Sequence, residues 1–152
     1  MNRIATILFA GLMALVSSPL RASDATAEEA KANLAKAVKL VQSAGEEKAF
    51  AAFNDKAGAF TKGELYVFAY SLEGVCLAHG QNLKLIGKNR MDIEDVNGVK
   101  YIAQMLETGK TKGSGQVEYM FKNPESGKID PKITFFSRVP GKDVVLGCGI
   151  YK

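Results

Sequence analysis

The sequence predicts an α+β domain, with helices near the N-terminus followed by a sheet of five mostly antiparallel strands. Three observations carry that prediction. Residues 25–54 are rich in Ala, Glu and Lys, with apolar residues at helical spacing. Residues 65–79, LYVFAYSLEGVCLAH, hold two apolar runs of β-branched and aromatic residues around Glu73-Gly74. Residues 116–151 hold three more such runs, separated by a turn from Asn123 to Lys128 and by Pro140-Gly141. Only one helical segment falls between strands. That segregation fits α+β and not the strict alternation of a parallel sheet.

The chain opens with Met1-Asn2-Arg3, an apolar stretch over residues 4–16, the break Ser17-Ser18-Pro19, and the small residue Ala22. These are the three parts of a secretory signal peptide, with cleavage expected after Ala22. The apolar stretch falls short of the ~20 residues that span a bilayer. The expected organisation is a leader over 1–22 and a single domain over 23–152, periplasmic or secreted. No membrane span is expected in the mature chain.

Ser23-Asp24 is expected to cap the first helix, whose apolar stripe is Leu34, Ala37, Val38 and Val41. Gly45 ends it. A second helix over 46–54 carries Phe50 and Phe53. The first strand, from Leu65, is apolar at almost every position, so both faces should be covered. Tyr66, Phe68 and Tyr70 share one of those faces. Gly74 supplies the positive φ of the turn, and the second strand, 75–79, ends on His79, the only histidine. Residues 81–97 read as a polar loop tethered by Leu83, Leu85 and Ile86. Asp95 or Asn97 is expected to cap a helix over 99–108, with Tyr101, Ile102, Met105 and Leu106 on one face and Gly109 as its stop. In the third strand, 116–122, Val117, Tyr119 and Phe121 face one way. In the fourth, 132–139, Lys132, Thr134, Phe136 and Arg138 oppose Ile133, Phe135 and Ser137. In the fifth, 144–151, Gly147 and Gly149 leave room for a close neighbour. The first helices should cover one face of the sheet. The long loop and third helix should cover the other, with a small-ligand pocket beneath them.

The chain carries 20 basic and 16 acidic residues. Loss of Arg3 and Arg21 with the leader leaves 18 against 16, and the lysines are scattered among acids. No nucleic-acid partner is expected from that pattern. Asp92, Glu94 and Asp95 lack the alternate-ligand spacing and closing Glu of a calcium loop. No Cys/His spacing suggests zinc, so no metal or cofactor is expected. The serines have no nucleophile elbow, there is one histidine, and no phosphate or dinucleotide fingerprint is present, so the chain does not read as an enzyme. Cys76 and Cys148 sit in apolar strands. They read either as small buried hydrophobes or as a disulfide that an oxidising compartment permits.

Four stretches, LYVFAYSLEGVCLAHG, LIGKNRMDIEDVNG, GSGQVEYMFKNPESGKIDPKITF and VVLGCGIY, together resemble the single Cache domain of the Cache_2 type over residues 46–152, in a free-standing secreted form. The resemblance implies a PAS-like extracytoplasmic sensor. Its five-stranded antiparallel sheet, of order 2-1-5-4-3, lies behind a long N-terminal helix. It implies a small organic acid as ligand, such as acetate, propionate, pyruvate or lactate. A membrane receptor, histidine kinase or transporter is the implied partner. In that strand order the second and fifth strands flank the first, which makes a Cys76–Cys148 bridge geometrically awkward.

Six residues are candidates for holding the ligand. Lys132 stands where the resemblance implies a lysine; it reads as a cation for a carboxylate in a partly dry pocket or as a snorkelling surface lysine. Tyr119 is a phenol on an apolar strand face, a donor to the ligand or to the core. His79 ends its strand as a ligand contact or a structural group. Phe68 and Tyr70 are pocket walls or plain core. Arg90, in the covering loop, is a fork donor able to close over an acid. The alternative function is a protein-interaction module whose vestigial pocket is filled by Phe121, Phe135 and Phe136.

Overall fold

The computed structural model of the chain describes residues 25–152. The leader expected at 1–22 and the cap expected at Ser23-Asp24 lie outside the described residues. Helix α1 (Ala27–Ala44) is capped by Thr26 instead: its hydroxyl accepts from Glu29 N, and the Glu29 carboxylate accepts from Thr26 N. This reciprocal box satisfies two otherwise orphaned donors. Gly45, at φ 85°, ends α1 and leads into α2 (Glu46–Asn54). The helices bury Ala30, Leu34, Ala37 and Val41 of α1 and Ala49 and Phe53 of α2.

The strands are β1 (Thr61–Lys62), β2 (Leu65–Ser71), β3 (Cys76–His79), β4 (Ser114–Lys122), β5 (Ile129–Arg138) and β6 (Val144–Tyr151), with α3 (Tyr101–Lys112) between β3 and β4. Phe68 pairs with His79 on one side and Gly147 on the other, so β3 and β6 flank β2. β6 pairs β5, and β5 pairs β4, all antiparallel. The path β3-β2-β6-β5-β4 is the expected 2-1-5-4-3 order. The two-residue β1, absent from the sequence-based expectation, adds to β2 at Leu65 and Tyr66.

Period-2 alternation divides the sheet into two cores. Val67, Ala69, Phe135, Leu146 and Cys148 pack under α1 and α2. Tyr66, Phe68, Tyr70, Cys76, Val117, Tyr119, Phe136 and Val145 pack under α3. Cys76 and Cys148 therefore lie on opposite faces, each a free buried thiol.

Three local expectations are corrected. Gly109 does not stop α3, which runs on to Lys112 and ends at Gly113 with φ 82°. A Cβ on Gly109 would lie 2.9 Å from Val145 Cγ2, so the glycine serves the close approach of helix to sheet. Leu83 and Ile86 are 50% and 38% exposed; of the three expected tethers only Leu85 packs into the α3-side core. Neither Asp95 nor Asn97 caps α3, whose N-cap is Lys100. The Asp95 carboxylate accepts from the N–H groups of Asn97, Val99 and Met120, which ties the covering loop to β4.

Candidate functional site

The α3 side of the sheet gathers the sequence-derived candidates. On β2, residues 66, 68 and 70 point to this side by parity, as do 119 and 121 on β4 and 132 on β5. β6 passes beneath with glycines where bulk would intrude. A Cβ on Gly147 would clash with the edge of the Phe68 ring, and one on Gly149 would lie 2.7 Å from Lys132 Cε. The two glycines are what let an aromatic ring and a lysine stem lie flat on the sheet.

Lys132 is the centre of the arrangement. It is 1% exposed. Its Nζ donates to Tyr66 Oη at 2.7 Å. Ring centroids of Tyr66, Tyr151, Phe121 and Phe68 lie 4.1, 4.9, 5.3 and 5.8 Å from Nζ. Among the described residues no carboxylate forms an ion pair with it. Burial pulls its pKa from 10.5 down to about 7, and the fields of Cys148 and Glu64 oppose this only in part. A lysine snorkelling from a strand end is thereby ruled out: the ammonium points inward, into a cage of rings.

His79 lies across from it, 3% exposed, stacked on Phe68 at 5.9 Å and tilted against Tyr66 at 4.9 Å. Its Nδ1 accepts from the N–H groups of Gln81 and Asn82. An accepting Nδ1 carries no proton, so in the neutral ring the proton sits on Nε2. Burial, with Lys132 and Arg90 nearby, depresses the pKa of His79 to about 3, which keeps the ring neutral. Nε2–H has no hydrogen-bond partner among the described residues.

The remaining candidates complete the enclosure. Tyr119 stacks on Tyr101 of α3 at 4.1 Å and shares a hydrogen bond with Thr134 Oγ1 at 3.0 Å. Tyr70 meets Phe68 edge to face at 5.7 Å. Burial pushes both phenols upward, so they remain uncharged donors. Arg90 enters from the loop. Its backbone N–H donates to Gly74 O at 2.8 Å, while its Nε is buried without a partner.

Five of the six candidates, all but Lys132, line one cavity with about 10 Å³ of open space, room for a single water. Lys132 lies beneath its Tyr66, Phe68 and Phe121 walls. A groove of about 320 Å³ opens beside the cavity, with Lys56, Gln81, Asn82 and Lys122 around it. No acidic side chain lines either space. His79 and Arg90, whose Nε is buried without a partner, line the cavity, and the Lys132 amine beneath it has a phenol and no carboxylate as its acceptor. Among the described residues no group of three or more His, Cys, Asp or Glu side chains comes together as a metal site.

Sequence reasoning passed over Tyr66 and Tyr151 as cage walls and Tyr101, Ile102 and Leu85 as the roof. Tyr66 was legible by parity with Phe68 and Tyr70. Tyr151 was not, because only the Lys132↔Tyr151 register brings it alongside. The three rings expected as fillers part company. Phe135 faces α1, Phe136 is buried away from the cavity lining, and only Phe121 stands in it.

A family model described as single Cache domain 2 matches residues 5–152. The sensor histidine kinase MctS of Rhizobium johnstonii is 31% identical over 86 residues, 57% of this chain and 18% of the kinase. The chain thus spans less than a fifth of that curated relative's length. The crystal structure of a methyl-accepting chemotaxis protein from Vibrio parahaemolyticus is 27% identical with a TM-score of 0.69, covering 82% of this chain and 86% of that one. A Cache chemosensory domain solved for carboxylic acid recognition has a TM-score of 0.65 at 23% identity, covering 82% and 86%; at that identity it shares the fold. Among the described residues no helix is long and apolar enough to cross a membrane.

Proposed function

The chain belongs to the single Cache domain 2 family of small-ligand sensor domains, and from that premise we propose that it binds a short monocarboxylate reversibly in the periplasm. Acetate, propionate, pyruvate and lactate are the candidates, and a membrane receptor, histidine kinase or transporter reads the occupied state. One observation carries the ligand class: Lys132 is a fully buried amine whose hydrogen-bond acceptor is a phenol, not a carboxylate, so its protonated form has no counter-ion within ion-pair distance. A buried charge without a counter-ion is destabilising by several kcal/mol. A fold that keeps one beneath a cavity lined by the partner-less Arg90 Nε is suited to an anion that comes and goes. The lack of any acidic lining argues against amino acids, whose ammonium would have no partner.

A thermal-shift screen of short organic acids at millimolar concentration tests the reading. A ligand bound only by the folded state raises stability by about 2.7 kcal/mol at a hundred times its dissociation constant. Monocarboxylates should raise the melting point and amino acids should not. Silence from every acid would remove the proposal.

The second reading, an interaction module with a filled pocket, draws on the small volume left around Phe121. It gains if no acid binds and the wild-type chain nevertheless captures a receptor ectodomain.

A further inference from the structure

The cavity and the outer groove share three walls: Tyr66, His79 and Phe121. Two of the three are fastened. Tyr66 is fully buried, with its oxygen accepting from Lys132. His79 is held through its backbone N–H by Asn54 Oδ1 at 2.9 Å and through ring Nδ1 by two further N–H groups. Phe121 has no polar atom to fasten. It is only partly buried, one residue from the end of β4, an edge strand of the sheet. Its ring leans edge-on against Tyr101 and Tyr119 and stands 5.3 Å from Lys132 Nζ. On its outer side lies the groove, with Lys56 and Lys122 in its lining and no acid.

We propose that Phe121 is a gate. Rotation of its ring joins the groove to the cavity, and an anion drawn between Lys56 and Lys122 reaches Lys132 by that route. Of the shared walls only this one can turn without breaking a hydrogen bond. Rotamer changes of this kind are fast at exposed sites and slower where rings pack. The gate accounts for a cation sealed from solvent directly beside an open, basic groove. The identity of the passing anion rests on the monocarboxylate reading; the movement does not.

The movement can be read without any ligand by pulse labelling with a small amine-reactive ester near pH 8, with mass spectrometry at each lysine. The Lys132 amine, lowered to about 7 by burial, is nucleophilic at that pH once reached. In the wild-type chain Lys132 should label more slowly than Lys56 or Lys122. In Phe121→Ala its labelling should rise roughly tenfold or more, because the closed state is lost, and in Phe121→Trp it should fall. Circular dichroism verifies that each variant is folded; Phe121→Leu serves if Phe121→Ala is not. Lys132 labelling that is unchanged in a folded, truncated variant overturns the gate. Protection of Lys132 by added propionate, in wild type and Phe121→Ala alike, supports gate and ligand together. Faster labelling in Phe121→Ala with no protection by any acid supports the gate and counts against the monocarboxylate reading alone.

Discussion

Replacing Lys132 by Met separates the two jobs of this residue, because it keeps the length and removes the charge. In the empty site the ammonium is a liability. Burial takes its pKa from 10.5 to about 7, and at pH 7 that corresponds to about 4 kcal/mol of destabilisation relative to an unperturbed lysine. Methionine removes this cost. It also forfeits the hydrogen bond to Tyr66 Oη, worth about 1 kcal/mol, and part of the ring–cation attraction, about 1 kcal/mol more. The variant should therefore be more stable than wild type by roughly 1–3 kcal/mol, as for other buried charges replaced by apolar groups. That is a melting point higher by roughly 3–10 °C. The sign with pH follows. Between about 7 and 10.5 the unfolded chain holds the Lys132 proton and the folded chain does not, so wild-type stability rises with pH there. The advantage of the variant is full below pH 7, shrinks through that window and closes above it. Binding should move the opposite way, weakening by about 2–5 kcal/mol because the ligand carboxylate is left desolvated and unpaired. Urea denaturation across pH, with calorimetric titration of the best acid, measures both. A variant that is less stable than wild type, or whose advantage ignores pH, would show that Lys132 is not a buried cation. Equal affinities would remove it from the site.

Anion binding should take up a proton above neutrality, since the bound state needs the Lys132 ammonium and the empty site titrates near 7; the affinity should fall about tenfold per pH unit above that point. The surrounding Tyr66, Tyr119, Tyr151 and Cys148 are pushed upward and stay uncharged, and His79 titrates near 3, so a flat affinity profile through pH 7–9 would contradict the assignment. On the acid side, His79 is depressed from 6.5 to about 3, so its contribution is present above 6.5 and lost as pH falls toward 3. Its full size is on the order of 5 kcal/mol, and His79→Gln should flatten that limb of the stability curve if the buried neutral ring is its source. Gly147→Ala should cost about 1–3 kcal/mol by overpacking and displace the Phe68 ring, which ligand titration reads as weaker binding; an unperturbed near-ultraviolet spectrum together with normal binding would mean that the sheet yields there.

Much of this fold is written in local pattern. The alternation of Val117, Tyr119 and Phe121, and of Lys132, Thr134 and Phe136 against Ile133 and Phe135, decides which side of the sheet each residue occupies, because a strand has a period of two wherever it runs. The all-apolar run from Leu65 foretells cover on both faces, and α1, α2 and α3 supply it. Gly147 and Gly149 foretell a close neighbour, though not which one.

Other features depend on residues distant in the chain. Gly109 looks like a stop, since an isolated glycine ends a helix as readily as it sits within one; the approach of Val145 decides for the interior. Leu83, Leu85 and Ile86 are alike as apolar loop residues, and only the path of the loop over Arg90 and Tyr101 decides that Leu85 packs. The sealing of Lys132 is also tertiary. Sequence places a lysine on a face, but rings from β2, β4 and β6 determine that it is caged, without a carboxylate partner and depressed to about 7. Parity is a property of one strand, whereas the space left between side chains depends on how the strands, α3 and the covering loop pack together, and that is where the open volume and the partner-less Arg90 Nε of this site are set.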